Sequence, residues 1–200
     1  AAPAAAATPS PASPLGAGGR GGGSQELAAL ALTNLEAAEE RVYAPLFSRW
    51  AGPAKSVMVD NAQLRSFVLQ STSCAESDLD AELFKAAPDL SLMLPAFLSL
   101  LRMHALPEGV VIQSFMEFGG GSELVDAELC AAGLPKVVQL ALGTKASEKQ
   151  DFLARVAQAA RSGSGSAAEG AAWDLATYMK ACSRAARIVR VTRAAARAAP

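Results

Sequence analysis

Five arginines near the end of this 200-residue chain recur at a spacing suited to gripping anions: Arg184, Arg187, Arg190, Arg193 and Arg197. Steps of 3, 3, 3 and 4 keep them on one broad side of a helix, opposite Ile188, Val191 and Ala195. From Lys180 to Pro200 the chain carries one Lys, five Arg and no acid. That is a charge of +6, leaving about −7 for the rest of a chain whose net charge is −1. A basic amphipathic helix can dock on an acidic protein surface, on RNA or on an anionic membrane. The plainer alternative is a solvated helix end whose arginines favour the C-terminal dipole or pair with acids of the same domain. These five are the partner-binding candidates, with a protein partner expected and nucleic acid as the alternative.

Catalytic chemistry has less to work with. The single histidine, His104, lies on an expected helix between Met103 and Ala105, and no Ser-His-Asp or Cys-His set can be assembled around it. Cys74, Cys130 and Cys182 lie more than fifty residues apart. An odd count without C-x-x-C spacing is neither a disulfide framework nor a zinc site, so buried thiols in an intracellular, reducing compartment are expected. Cytoplasm and organelle are not distinguished. The glycine runs Gly18 to Gly23 and Gly119 to Gly121 follow no strand and lead into no phosphate-binding helix. The carboxylates Glu36, Glu39, Glu40 and Asp78, Asp80, Glu82 are expected on solvated helix faces and first turns. No catalytic, cofactor-binding or metal-ligating residue is assigned, and a non-enzymatic chain is expected.

The elements that position the arginines are read from composition and breakers. The chain is 51% hydrophobic but only 6% aromatic, and Ala supplies much of the apolar fraction. Alanine is the best helix former and is depleted in strands, which points to an all-α fold. No apolar run approaches the ~20 residues that span a bilayer, so no transmembrane segment is expected. Residues 1–24 hold one charge, Arg20, and a single Leu among Ala, Pro, Gly, Ser and Thr. They are expected to be a disordered tail or linker, either the remnant of an organellar transit peptide or a connector within a longer protein.

Helix signals follow in order. Ser24 is the expected cap of a helix carrying Leu27, Leu30, Leu32 and Leu35 to about Glu40, with Pro45 interrupting its continuation. Val57 to Val59 is too short to assign, and Asp60 is the expected cap of the next helix. Asp78 or Asp80 opens another, stopped before Pro88. Pro95 and Pro107 sit at helix starts, and Gly119 to Gly121 close a helix. Leu124 to Cys130 is a short segment ended by Gly133, after which Leu134-Pro135 restarts the pattern. Ser147 opens a capping box for a helix to Ala160, and Glu169 to Ser183 is helical with Trp173 on its apolar face. Leu94-Pro95 and Leu134-Pro135, forty positions apart and each followed by an aliphatic ladder, read as one two-helix unit written twice. Starts at Gln25, Gln63, Glu108 and Lys149 are spaced 38, 45 and 41 residues. The organisation expected is a tail or linker at 1–24, a helical-repeat domain at 25–183 and a basic amphipathic C-terminal helix at 184–200.

The run Ala132-Gly133-Leu134-Pro135-Lys136-Val137-Val138-Gln139-Leu140-Ala141-Leu142 resembles an armadillo repeat, with residues 147–160 resembling its last helix. Leu94 to Phe118 resembles the preceding repeat, with Met93 where the family has Gly, and Leu30 to Leu35 resembles the end of a third helix. This resemblance to the armadillo/HEAT class implies stacked helical hairpins forming an α-solenoid with a binding groove. Only Asn34 matches the groove pattern and Trp173 is out of register, so groove residues are not carried over. A rival resemblance is to a degenerate EF-hand array. Lys85 to Ala96 has the apolar frame of a calcium loop, with Leu92 at the eighth place, and Glu117 to Glu128 has it with Leu124 there. The ligand positions of the first hold Lys85, Ala87, Asp89 and Ala96, and those of the second Glu117, Gly119, Gly121 and Glu128. Calcium needs oxygen ligands at those places and Gly at the sixth, so no calcium binding is expected. The function expected is a non-catalytic protein–protein interaction or structural scaffold module. The alternatives are an accessory structural subunit of an organellar complex and an RNA-binding helical-repeat protein.

Overall fold

Asparagine, more than proline, sets the first helix boundaries. The computed structural model describes residues 22–142, 150–163 and 172–198. Of the tail or linker expected at 1–24, all but the last three residues lies outside the described residues. Helix α1 (Gly22–Thr33) ends at Asn34, whose Oδ1 accepts from the Ala37 amide at 3.1 Å and so caps α2 (Leu35–Ala51). The single helix expected from Ser24 to Glu40 is therefore two, because an Asn side chain takes up a backbone donor at a helix start. Pro45 lies inside α2 rather than interrupting it. The lost ladder bond is offset by burial of Tyr43 and Phe47 from the same helix. Next come β1 (Ser56–Met58) and α3 (Ala62–Ser71). Asn61, not Asp60, caps α3, its Oδ1 accepting from the amides of Gln63 and Leu64 at 2.9 and 3.0 Å.

A second helix–strand–helix unit follows: α4 (Leu79–Ala86), β2 (Ser91–Met93) and α5 (Leu94–Met103). Strands β1 and β2 pair antiparallel with Val57 opposite Leu92, both buried. Their neighbours Met58 and Met93 point outward, 52% and 58% exposed, as the two-residue period of a strand requires. Lys55 and Leu90 each precede the paired residue by two places and adopt left-handed backbone, with φ 57° and 65°. That conformation costs a non-glycine residue about 1 kcal/mol, so the loop geometry is imposed by the pairing and not by local preference.

The second half repeats the plan with α6 (Glu108–Gly119), β3 (Val125–Asp126), α7 (Ala127–Leu142), α8 (Gln150–Gly163), β4 (Ala172–Trp173) and α9 (Leu175–Ala198). Strands β3 and β4 pair antiparallel, Val125 opposite Trp173. Leu124 is 58% exposed while Val125 is buried, so the frame that put Leu124 at the eighth loop position shifts by one residue. Gly133 and Pro135 do not divide α7. A Cβ at Gly133 would overlap the Phe118 ring, so this glycine serves the close approach of α6 to α7 and not a helix stop. The two Leu-Pro pairs are also not equivalent: Leu94-Pro95 opens α5, whereas Leu134-Pro135 lies in mid-helix. Trp173, expected on a helix face, is the fully buried residue of β4. Ser147 lies outside the described residues.

The molecule is mostly helical, and α9 is its centre. Residue 183 marks no break: α9 is one helix of 24 residues, packed by α1, α2, α6, α7 and α8. Ala181, Cys182, Ala185, Ala186, Ile188, Val189 and Val191 are fully buried. At 100° per residue these cover more than half its circumference, and their small size lets several helices approach. The separate basic helix expected at 184–200 is thus mostly the distal half of the central element. No helix among the described residues is long and apolar enough to cross a membrane.

Candidate functional site

Because α9 is enclosed, its arginines must reach outward between neighbouring helices, and each finds a different environment. Arg187 reaches α2, where Glu36 and Glu39 stand three residues apart on one face. Its Nε donates to Glu39 Oε1 at 2.6 Å and its Nη2 to Oε2 at 2.8 Å, with a longer bond from Nη2 to Glu36 Oε1 at 3.3 Å. Arg102 of α5 donates from Nε to the same Glu39 Oε2 at 2.8 Å. Glu39, expected on a solvated face, is only 3% exposed. A carboxylate buried this deeply persists because two guanidiniums compensate it, and it clamps α2, α5 and α9 together. Burial opposes the charge of Arg187, yet the Glu39 hydrogen bonds and the two carboxylate charges leave its pKa raised. Burial likewise works against Glu36, but a backbone hydrogen bond and Arg187 leave its pKa lowered. Arg184 Nε donates to the Ala159 carbonyl at 3.3 Å, tying α9 to α8.

The remaining three arginines converge elsewhere. Arg190, Arg193 and Arg197 line a half-open cleft of about 570 Å³ together with Arg41 and Arg49 of α2. Its walls include Leu46 and Phe67 from α2 and α3, Leu142 from α7 and Ala194 from α9. Among the described residues no carboxylate lines it. Arg41 is paired at the edge with Glu26, at 3.0 Å, both side chains more than half exposed. Arg190 Nη1 donates to the His104 carbonyl at 3.4 Å, and Arg193 Nη1 to the Leu142 carbonyl at 3.3 Å. Burial pushes the Arg190 guanidinium down to about 10, and the charge of Arg193 adds to that shift. Beside it, burial pushes the Tyr43 hydroxyl up to about 12. Exposed Arg49 and Arg197 form no ion pair among the described residues.

His104 is a junction at the end of α5. Its Nε2 stands 3.0 Å from Glu82 Oε2, and its carbonyl accepts from the Ser73 amide at 2.8 Å and hydroxyl at 3.0 Å besides Arg190. The three cysteines are free and buried. Burial pushes Cys130 up to about 11 and Cys182 up to about 12, far from the thiolate range that nucleophiles and metal ligands use. No group of His, Cys, Asp and Glu among the described residues could hold a metal ion. The loop of β2 sets Lys85, Ala87, Asp89 and Ala96 at its ligand places, and the shifted frame of β3 sets Phe118, Gly120, Ser122 and Leu129. Neither is the oxygen set a hard cation takes.

The arginine spacing placed five residues on one helix but could not divide them between environments. Arg187 and Arg184 are used within the fold, whereas Arg190, Arg193 and Arg197 share a cleft. Arg41, Arg49 and the buried Glu39 were missed. The eight-residue step from Arg41 to Arg49 on α2 was the available signal for the first two. Nothing local could show that Glu39 meets a partner 148 residues away. The chain matches no family model, no curated protein and no solved structure.

Proposed function

We propose that this chain is a non-catalytic protein–protein interaction or structural module that docks an acidic partner in the arginine cleft between α2, α3 and α9. The observation that carries this is the cleft itself: five lining arginines with no carboxylate among the described residues. Clustered like charges on apolar walls steer an oppositely charged surface and are neutralised when it seats. An RNA partner would call for basic residues on several units, whereas here they gather on α2 and the end of α9.

For the helix arrangement, we favour EF-hand-like pairing that has lost its cation chemistry over the armadillo/HEAT-like solenoid. Support comes from the antiparallel bridge of each pair of loops and from the left-handed Lys55 and Leu90, two places before the paired residue, where calcium loops keep glycine. The starts of α5, α7 and α9, each two residues after the paired residue, follow the same scheme. Solenoid units contact only their neighbours, whereas α9 packs on α1 as well as α8.

The test is cross-linking and affinity capture from native extract, comparing the chain with the double variant Arg49→Glu/Arg197→Glu, both at exposed sites. A stoichiometric protein cross-linked through an acidic segment to the cleft, and lost with the double variant, is the expected result. Equal recovery by both chains would overturn docking at the cleft.

A further inference from the structure

Arg190 and Arg193 are the partly buried arginines of the cleft, whereas Arg41, Arg49 and Arg197 are exposed. Arg190 donates from Nη1 to the His104 carbonyl at 3.4 Å. That oxygen already accepts two shorter bonds from Ser73, at 2.8 and 3.0 Å. A guanidinium offers five N–H donors in a planar fork that matches a carboxylate. Buried charges are ordinarily compensated by an opposite charge. Three residues earlier on the same helix Arg187 has such a carboxylate in Glu39, whereas among the described residues Arg190 has none.

We infer that Arg190 is the receptor for one carboxylate side chain of an acidic amphipathic helix belonging to a protein partner, with flanking apolar side chains of that helix filling the cleft. This rests on the docking function proposed above and names what docks. The spacing of the arginines argues for a helix. Arg41 and Arg49 are eight residues apart on α2 and Arg190 and Arg197 seven apart on α9, so each row extends over roughly 10–12 Å. A helix with acids at i, i+4 and i+7 presents its carboxylates over the same length on one face. The cleft, about 570 Å³, is far larger than one carboxylate. Leu46, Phe67, Leu142 and Ala194 offer apolar wall for Leu or Met side chains beside the acidic row. The chain's own segment 1–24 holds no acid and a single Arg, so it is not complementary to this site.

The test uses a fluorescein-labelled 18-residue helix built from Leu and Glu with acids at i, i+4 and i+7. Its controls are the same helix with every Glu replaced by Gln and an unstructured polyglutamate of equal charge. Anisotropy is read for the full chain, for Arg190→Gln, for Ala194→Phe, which fills the apolar wall, and for the exposed control Lys136→Gln. Circular dichroism verifies that each variant is folded. The expected result is binding of the acidic helix and not of its Gln counterpart. It should weaken tenfold or more in Arg190→Gln and in Ala194→Phe, and stay unchanged in Lys136→Gln. Equal binding by Arg190→Gln, no binding of the acidic helix to the full chain, or polyglutamate binding as tightly, would each overturn the inference. So would sedimentation showing a dimer of this chain that Arg190→Gln dissolves, since the occupant would then be a second copy. If Arg190→Gln binds the probe normally while Arg49→Glu/Arg197→Glu still loses its native partner, docking at the cleft stands and only the carboxylate receptor falls. If the double variant keeps its partner, docking at the cleft is what fails.

Discussion

Two arginines three residues apart on α9 have opposite fates. Arg187 ends on Glu39 with two short bonds in a site shared with Arg102. Arg190 ends on a carbonyl at the floor of a cleft lined by four other arginines. The first arrangement is saturated: two guanidiniums and two carboxylates compensate one another, and the cluster ties three helices together. The second gives Arg190 no carboxylate among the described residues. A run of evenly spaced arginines is therefore not one functional surface, and what separates Arg187 from Arg190 is whether the fold supplies a carboxylate within reach.

The sharpest way to break the comparison is to remove the saturated carboxylate. Glu39→Ala leaves Arg102 without a carboxylate and Arg187 with only its longer bond to Glu36, and should cost about 3–5 kcal/mol in a urea unfolding curve. A loss under ~1 kcal/mol, the range of exposed pairs, would mean that the clamp contributes no more than a surface pair. A smaller effect of opposite tendency is expected three residues on. Arg190→Met removes a partly buried charge that has no carboxylate partner among the described residues, so stability should stay within about 1 kcal/mol of the starting protein or rise. A loss as large as that of Glu39→Ala would place Arg190 with the structural arginines and undo the contrast.

At neutral pH the smallest differences are expected from titrating groups, whose effects emerge only at the pH extremes, and the two regions differ in sign and window. Glu36 has a pKa lowered below its ordinary 4.5. Its contribution is present above that value and is lost as pH falls through the lower folded pKa, and Arg187→Gln should flatten this acid limb. At the cleft, the Tyr43 hydroxyl is raised from 10.0 to about 12. Its contribution is complete below pH 10 and is lost as pH rises toward 12, so Tyr43→Phe should lessen alkaline destabilisation. Urea midpoints measured across both limbs check the pair, and an unchanged alkaline limb in Tyr43→Phe would remove Tyr43 from the account.

Parts of this architecture were legible in advance. The alanine content and breaker pattern indicated helices, and Leu92 in the frame Lys85 to Ala96 is the residue that pairs with Val57. Val57 itself sat in a run of three, too short to read without its partner strand. Leu124 and Val125 are both aliphatic, and only pairing with Trp173 shows which one turns inward. Pro45 read as an interruption and Pro135 as a restart because a proline's cost is local, while the burial of Tyr43 and Phe47 that offsets it at Pro45 depends on packing against other helices. Gly133 read as a stop for the same reason, although its role is to admit Phe118.

Composition and periodicity by themselves determined that this chain is helical and that its basic charge gathers at one end, because helix propensity and formal charge are properties of each residue and its near neighbours. Which arginine is satisfied and which is left facing a cleft was decided only by tertiary structure. Electrostatic compensation depends on what lies within a few ångströms, and Glu39 comes within 2.6 Å of Arg187 across 148 residues of intervening chain.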